Sequence, residues 1–411
     1  MGISELQQGV QWGCTVTKAL GPSMVATFLA ANLLVRPAAA QDTIVVHAED
    51  PPEWGSNVRV VEELRIGAVD GPDEYILGYI GSIGARRDGT IFVYDAQVPI
   101  IRQYSAAGDH VRDIGRKGQG PGEYRYVDGM QILGDGRLAV LDYGNQRVNV
   151  YDSAGVFLES HNYGRGYYGN NDFVVDSAGN FYIRVMAPAA PKSEGEEFGS
   201  VWLKLSASGE LIDSIARPLA DLALPPSAPF HDERVSVLSN RGYLVVGHNR
   251  SYALEVHESD DLVRRITRDA DPEPVKSAER EQWEAVLEYA DKRARERWGP
   301  EHGIDYPPLP RTKPFFRDLL VDADGRIWVD RYVAAEKVDV EPRESGDERP
   351  LLEWREPRTF DVIQPDGTFL GTLVLPKDTE AYYSRGMSIW GVYSGELGEP
   401  YVVRLRIEPG T

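Results

Sequence analysis

Between Gly115 and Leu158 the chain alternates short β-type runs with turn residues. Met130–Leu133, Arg137–Asp142 and Arg147–Asp152 are rich in Val, Ile, Leu and Tyr. Gly134-Asp135-Gly136 and Tyr143-Gly144-Asn145 separate them, and a fourth run follows Ser153-Ala154-Gly155. Branched and aromatic side chains suit a pleated, half-buried surface, and Gly, Asp and Asn supply tight reversals. The stretch therefore reads as a four-stranded antiparallel meander. The unit recurs: Asp88-Gly89, Tyr94-Asp95, Tyr104 and Ala107-Gly108 precede Asp135-Gly136, Leu141-Asp142, Tyr151 and Ala154-Gly155 by one offset of about 47 residues. Four strands repeated every 40–50 residues or so is the signature of a β-propeller.

Asp142-Tyr143-Gly144-Asn145-Gln146-Arg147-Val148, with Gly118–Tyr124 upstream and Asp152-Ser153-Ala154-Gly155 downstream, resembles the NHL-type repeat of six-bladed propellers. The resemblance covers the motif of this blade and the strand–turn spacing of most of the chain. It implies an all-β, six-bladed propeller. Blade one is Ser82–Ile114, blade two Asp128–Ser160, blade three Asp172–Ile215 and blade four about Asp232–Ile266. Blade five starts at Asp318 and ends in Phe369–Leu375, and blade six is Arg385–Ile407. Blade six supplies three strands. The run Val58–Ile66, which has no blade of its own before it, is expected to be the fourth. Pairing the first segment with the last closes the ring and removes exposed sheet edges.

In a meander counted outward from the axis, loops one–two and three–four lie on one face. Loops two–three and the crossovers lie on the other. The first set is short throughout, as at Asp88-Gly89 and Asp366-Gly367, whereas the insertions 187–199, 269–314 and 331–357 all belong to the second set. All three are therefore expected to decorate one face, and loops on a rigid scaffold are where function concentrates. The insertion between blades four and five reads as the single helix. Ser277 is a suitable cap, and Trp283, Val286, Leu287, Ala290, Ala294 and Trp298 fall on one stripe before Gly299-Pro300 stops it. Such a helix either lids the axial mouth or packs its stripe on neighbouring loops.

Residues 1–40 read as a leader rather than fold. An apolar core runs from Met24 to Val35, and Ala38 and Ala40 suit cleavage before Gln41, with 41–57 a linker to the propeller domain 58–411. The core is short for a stable membrane span. The one cysteine, Cys14, precedes it, so the processed chain holds no disulfide, and export to a bacterial envelope, periplasmic or secreted, is the expectation. A net charge of −20 argues against nucleic acid or an anionic lipid surface as partner.

Catalytic signatures are sparse. Gly164–Gly169 matches G-x-G-x-x-G but leads into a strand, so no helix N-terminus receives a phosphate, and the seven histidines show no metal-ligand spacing. Asp128, Asp172, Asp232 and Asp318 stand at or before innermost strands. Several carboxylates converging on the axis can hold a hard cation such as calcium, or can cap turns instead. Six-bladed lactonase-like enzymes hold calcium with axial carboxylate and amide ligands. The crossovers are rich in aromatic and arginine side chains, the currency of binding surfaces, and Tyr126, Arg165, Tyr168, Phe316, Arg317, Tyr383 and Arg385 are the candidate ligand contacts. The expectation is a non-catalytic module that binds a protein, peptide or glycan on the elaborated face. The alternative is a divalent-metal-dependent hydrolase or lyase, lactonase-like or peptide-lyase-like, with an axial site.

Overall fold

The computed structural model describes residues 42–47, 51–164, 168–188, 198–217, 228–258, 261–340 and 347–410. The leader 1–40 and parts of the insertions 187–199 and 331–357 lie outside them.

Six sheets of at least four strands each make the propeller. Blade one is Ile80–Ala85, Ile91–Asp95, Ile100–Tyr104 and His110–Ile114, and blade two is Val127–Ile132, Leu138–Asp142, Arg147–Tyr151 and Phe157–Asn162. Blade three runs from Tyr168 to Arg217 and blade four from Arg234 to Arg268. Blade five takes Phe316–Val321, Ile327–Arg331, Thr359–Ile363 and Phe369–Val374. Blade six is Thr379–Arg385, Ser388–Ser394 and Pro400–Glu408, and Arg59–Ile66 pairs antiparallel with its last strand. The one–two turns need a left-handed residue. Gly136 at φ 86° supplies it in blade two, a conformation that a Cβ would strain.

Apolar clusters join every consecutive pair of blades. Ile83, Ile91 and Val93 meet Trp390 and Val402 across the blade six–one seam, and Tyr182 and Trp202 meet Leu244 and Val246 across the three–four seam. Because each blade buries both faces against neighbours, ring closure and core formation are one event. Some seams are also tied by hydrogen bonds. The buried Tyr124 hydroxyl accepts from the Ile101 N–H (2.8 Å) and donates to the Ile114 carbonyl (2.9 Å).

Aspartates at the ends of second strands latch the crossovers. Asp142 Oδ1 accepts from the N–H groups of Arg125 (3.0 Å), Tyr126 (3.3 Å) and Asn145 (3.2 Å), while Arg147 Nε stands 3.4 Å from Oδ2. Asp95 does the same for Gly78, Tyr79 and Gln97 and pairs with Arg102 at 3.2 Å. In blade four Asn249 Oδ1 accepts from the Glu233 N–H at 2.6 Å. The Asp-Tyr-Gly-Asn-Gln-Arg stretch thus satisfies backbone donors that enter the blade.

Three features depart from the expectation. The segment read as the linker 41–57 contains a strand, Asp42–Val46, that pairs in parallel with the outer strand Asp261–Arg268 of blade four. From there the chain passes along blade five, where the Trp54 N–H donates to the Leu370 carbonyl (2.8 Å), before entering blade six. Residues 42–47 and 51–66 therefore contact three blades as a strap. Next, the innermost strand of blade six begins at Thr379 and ends at Arg385, because Gly386-Met387 reverses the chain within two residues and pairs Arg385 with Ser388. Finally, the helix spans Ser277–Trp298 with Lys276 in the N-cap position and no side-chain cap. Trp283 and Leu287 pack against Phe230, Val275 and Leu309, while Trp298 is exposed. That packing is over blades four and five, and no helix residue lines the axial mouth.

Candidate functional site

The crossover and blade-five insertions meet. Gln282 of the helix hydrogen-bonds both backbone groups of Trp354, accepting its N–H at 2.8 Å and donating to its carbonyl at 2.9 Å. Between them lies a cavity of about 500 Å³ lined by Phe230, Trp283, Tyr332 and Trp354 together with Glu233, Arg317 and Arg358. A second cavity, about 540 Å³, continues toward blade six along Glu336, Lys377, Asp378 and Glu380. The two share Arg355, Glu356 and Arg358, which form the ridge between them.

From that ridge inward runs a chain of charges, buried at Glu279, Lys313, Glu356 and Asp330 and partly open to solvent at Arg358. Lys313 has no side-chain exposure, sits 2.7 Å from Glu279 and also pairs with Glu356. Glu356 pairs in turn with Arg317, Arg317 with Asp330 (3.4 Å), and Asp330 with Arg358 (2.6 Å). Three cations balance three carboxylates, which is how buried charge becomes tolerable. Lys313 Nζ also donates to the Val333 carbonyl at 2.8 Å, and the Arg317 guanidinium lies 4.6 Å above the Tyr332 ring. Burial pushes the Asp330 carboxyl up to about 6, with Arg317 and Arg358 holding it back. Burial likewise raises the Glu279 carboxyl against the pull of Lys313, and pushes the Tyr332 hydroxyl up to about 12. Glu279 Oε2 is buried without a hydrogen-bond partner. The network fixes the floor of both cavities in one arrangement, which preorganises the rims that a ligand would touch.

A separate cavity system lies on the axis. Its mouth, about 260 Å³, is lined by Tyr79, Tyr126, Asp128, Gln131, Tyr382 and Tyr383. A deeper chamber, about 320 Å³, shares Gln131, Phe173, Tyr382 and Tyr383 with the mouth and adds Val174, Val237, Leu320 and Arg385.

The residues singled out from sequence thus divide. Tyr126, Asp128 and Tyr383 come together at the axial mouth, with Arg385 beyond them. Arg317 belongs to the buried network under the lateral groove. Phe316 is a correction. It is fully buried in the core with Tyr252, Leu254 and Val329, because a bulge after it turns its ring inward and leaves Arg317 toward Glu356. Arg385 is a second correction: it ends an innermost strand at the short-turn side and does not start one on the elaborated face. Arg165 lies outside the described residues, and Tyr168 and Asp172 are described in backbone alone, within the strand Tyr168–Val175.

Of the other aspartates, Asp232 is exposed with Arg250 at 3.8 Å, and Asp318 Oδ1 accepts the Leu319 N–H at 2.8 Å. Among the described residues no three His, Cys, Asp or Glu side chains stand close enough to hold a metal ion. Sequence reasoning missed Glu279, Lys313, Asp330, Glu356 and Arg358. Charged residues far apart in the chain give no local sign that they will be buried together.

Residues 68–183 match the model of the DUF5128 family, described as a 6-bladed beta-propeller. No curated protein matches the chain. Among solved structures, the chain is similar to a protein of Bacteroides fragilis NCTC 9343 at 12% identity and a TM-score of 0.48, covering 89% of this chain and 99% of that one. It is also similar to a gluconolactonase of Xanthomonas campestris at 15% identity and TM-score 0.43, covering 91% and 99%. A virginiamycin B lyase of Staphylococcus aureus follows at 8% identity and TM-score 0.41, covering 85% and 99%.

Proposed function

We propose that this protein is an exported, NHL-like propeller that binds a protein or peptide along the groove over blades four to six, without catalysing a reaction. The observation that carries this reading is the pair of adjoining cavities, about 500 and 540 Å³, joined at Arg355, Glu356 and Arg358 above a charge-balanced floor. Each of the two adjoining cavities already falls within the range of about 300–1,000 Å³ typical of a small-molecule site, so together they suit a ligand that extends from one into the other. Aromatic rings at one end suit an anchoring side chain. Arg355, Lys377, Asp378 and Glu380 toward the other end offer both signs of charge to a backbone and its substituents. Among the described residues no helix is long and apolar enough to cross a membrane.

The test is selection of peptides from a random display library on the full-length protein, followed by polarisation measurements with the selected sequences. Arg355→Glu is expected to weaken the selected peptide by about tenfold, as loss and reversal of one interfacial charge should. A glycan array in parallel tests the other ligand class. Selected peptides that bind Arg355→Glu as well as wild type, or enrichment of glycans with no enrichment of peptides, would refute the reading.

A further inference from the structure

We infer that the axial chamber binds an organic carboxylate, its anionic head held by Arg385 and Tyr383 and its apolar body lying between the innermost strands. This site is distinct from the lateral groove and does not depend on it. Arg385 lines the chamber, lies 5.5 Å from the Tyr383 ring and donates one hydrogen bond, to the Ala85 carbonyl at 3.2 Å. Among the described residues no carboxylate stands within ion-pair distance of it. In a chain with 64 acidic and 44 basic residues that is a conspicuous omission. The carboxylates of the neighbouring turn are committed elsewhere. Asp322 holds Arg326 at 2.6 Å and the Trp328 indole N–H at 2.9 Å, and Asp324 accepts the Gly386 N–H at 2.5 Å and stands 3.6 Å from Arg326.

The second group is the Tyr383 hydroxyl, whose oxygen is buried without a hydrogen-bond partner. Burial pushes its titration up to about 12, so it remains a donor at neutral pH. A planar guanidinium fork and a phenolic donor on one wall match the two oxygens of a carboxylate. The rest of the lining fixes the other end of the ligand. Val174, Val237 and Leu320 project from three different blades, and Leu320 keeps 38% of its surface exposed because it faces this space. A chamber of about 320 Å³ that combines these apolar side chains with Gln131 and Asn240, the Arg326-paired Asp322 carboxylate and the cationic Arg385 admits a compact amphipathic acid. Arg385 ends its strand at the short-turn face, so the head group lies toward that face while the tyrosine-rimmed mouth with Asp128 opens on the other.

Titration of the full-length protein by calorimetry with sodium octanoate, octylammonium and inorganic phosphate tests the assignment. Octanoate is expected to bind with one site per chain, and neither of the other two should displace it. Arg385→Ala is expected to weaken octanoate by about tenfold or more, the loss of a hydrogen bond to a charged group. Tyr383→Phe is expected to weaken it roughly fivefold while leaving the melting temperature near the wild-type value, which keeps the test decisive if Arg385→Ala fails to fold. Equal binding of octylammonium would show mere partition into an apolar space, and equal competition by phosphate would show an anion site without an apolar subsite. Either result, or wild-type affinity in Tyr383→Phe, overturns the proposal.

Discussion

Replacing Lys313 by methionine keeps the aliphatic stem and removes the cation between Glu279 and Glu356. The side chain has no exposure, and its two partners keep 2% and 7% of theirs, so water cannot substitute for the lost ammonium. Glu356 retains Arg317, but Glu279 is left with no cation and already has one oxygen without a partner. Breaking a buried pair from one side costs about 3–5 kcal/mol. Proton uptake limits the damage at Glu279. Protonating a carboxyl of ordinary value 4.5 at pH 7 costs about 3.4 kcal/mol, so ionised Glu279 cannot contribute more than that before it neutralises. For a folded unit of 371 residues, Gln41–Thr411, the unfolding entropy is about 0.8 kcal/mol per kelvin, and the melting temperature should fall by about 4–6 °C.

The same reasoning fixes the pH dependence. Without Lys313 the folded-state value of Glu279 rises further above its unfolded value. A carboxyl raised in this way stabilises the fold at low pH and loses that contribution as pH rises. The deficit of Lys313→Met relative to wild type should therefore shrink by up to about 2.7 kcal/mol between pH 7 and pH 5. Urea unfolding of both proteins at the two pH values measures it. A deficit below about 1 kcal/mol at pH 7, or one that does not change with pH, would mean that these charges are solvated and that the groove has no rigid floor.

Trp54→Ala should cost about 3–5 kcal/mol, since the indole is largely buried against Trp328, Phe360 and Leu370 and its backbone ties blade five to Gly410. Limited proteolysis should then cut the strap first, and an unchanged cleavage pattern and melting temperature would show that the strap is ornamental. Asp330→Asn tests the raised carboxyl of the network. The Asp330 contribution to stability is complete below about 4 and is lost as pH rises through about 6, so wild type and variant should differ in slope across that window by at most about 1.4 kcal/mol per pH unit. Parallel stability curves between pH 4 and 6 would contradict the buried placement of that carboxyl.

The blades were legible because turn chemistry is local. A left-handed residue after Asp135 or Ala154 leaves few choices but glycine, and Gly136 and Gly155 report strand ends directly. The innermost strand of blade six is hard to place from sequence because its turn, Gly386-Met387, lacks the Asp-Gly pair and is too short to stand out between two tyrosines and a serine. Turn chemistry alone therefore places Arg385 at the start of a strand that it in fact ends. The strand Asp42–Val46 was read as linker for a different reason. Its partner lies more than two hundred residues away, and a parallel pairing at a sheet edge leaves no signature in either segment.

The functional residues were harder to read, and the reason lies in how side chains divide their hydrogen-bonding capacity. The residues that carry the repeat motif, Asp142, Asn145 and Arg147, are engaged with one another and with the backbone, and Arg147 Nε, 3.4 Å from Asp142, is the one buried side-chain atom among them left without a hydrogen bond. Asp142 holds three backbone N–H groups, Asn145 donates to the Gly118 carbonyl, and Arg147 donates to Gly120 and Glu123. Groups turned toward the backbone and toward each other in this way are committed to the crossover, so the strongest motif in the sequence marks architecture. Recognition requires the opposite condition, a polar group positioned by the fold and left incomplete. Arg385 and Tyr383 meet that condition in the chamber, and neither fact is visible in residue type or spacing, because both depend on which carboxylates the neighbouring turn has already engaged. In a repeat fold, then, departures from the repeat deserve more weight than the repeat itself. The motif tells where backbone donors are capped, whereas a blade that lacks it frees its inward side chains for chemistry.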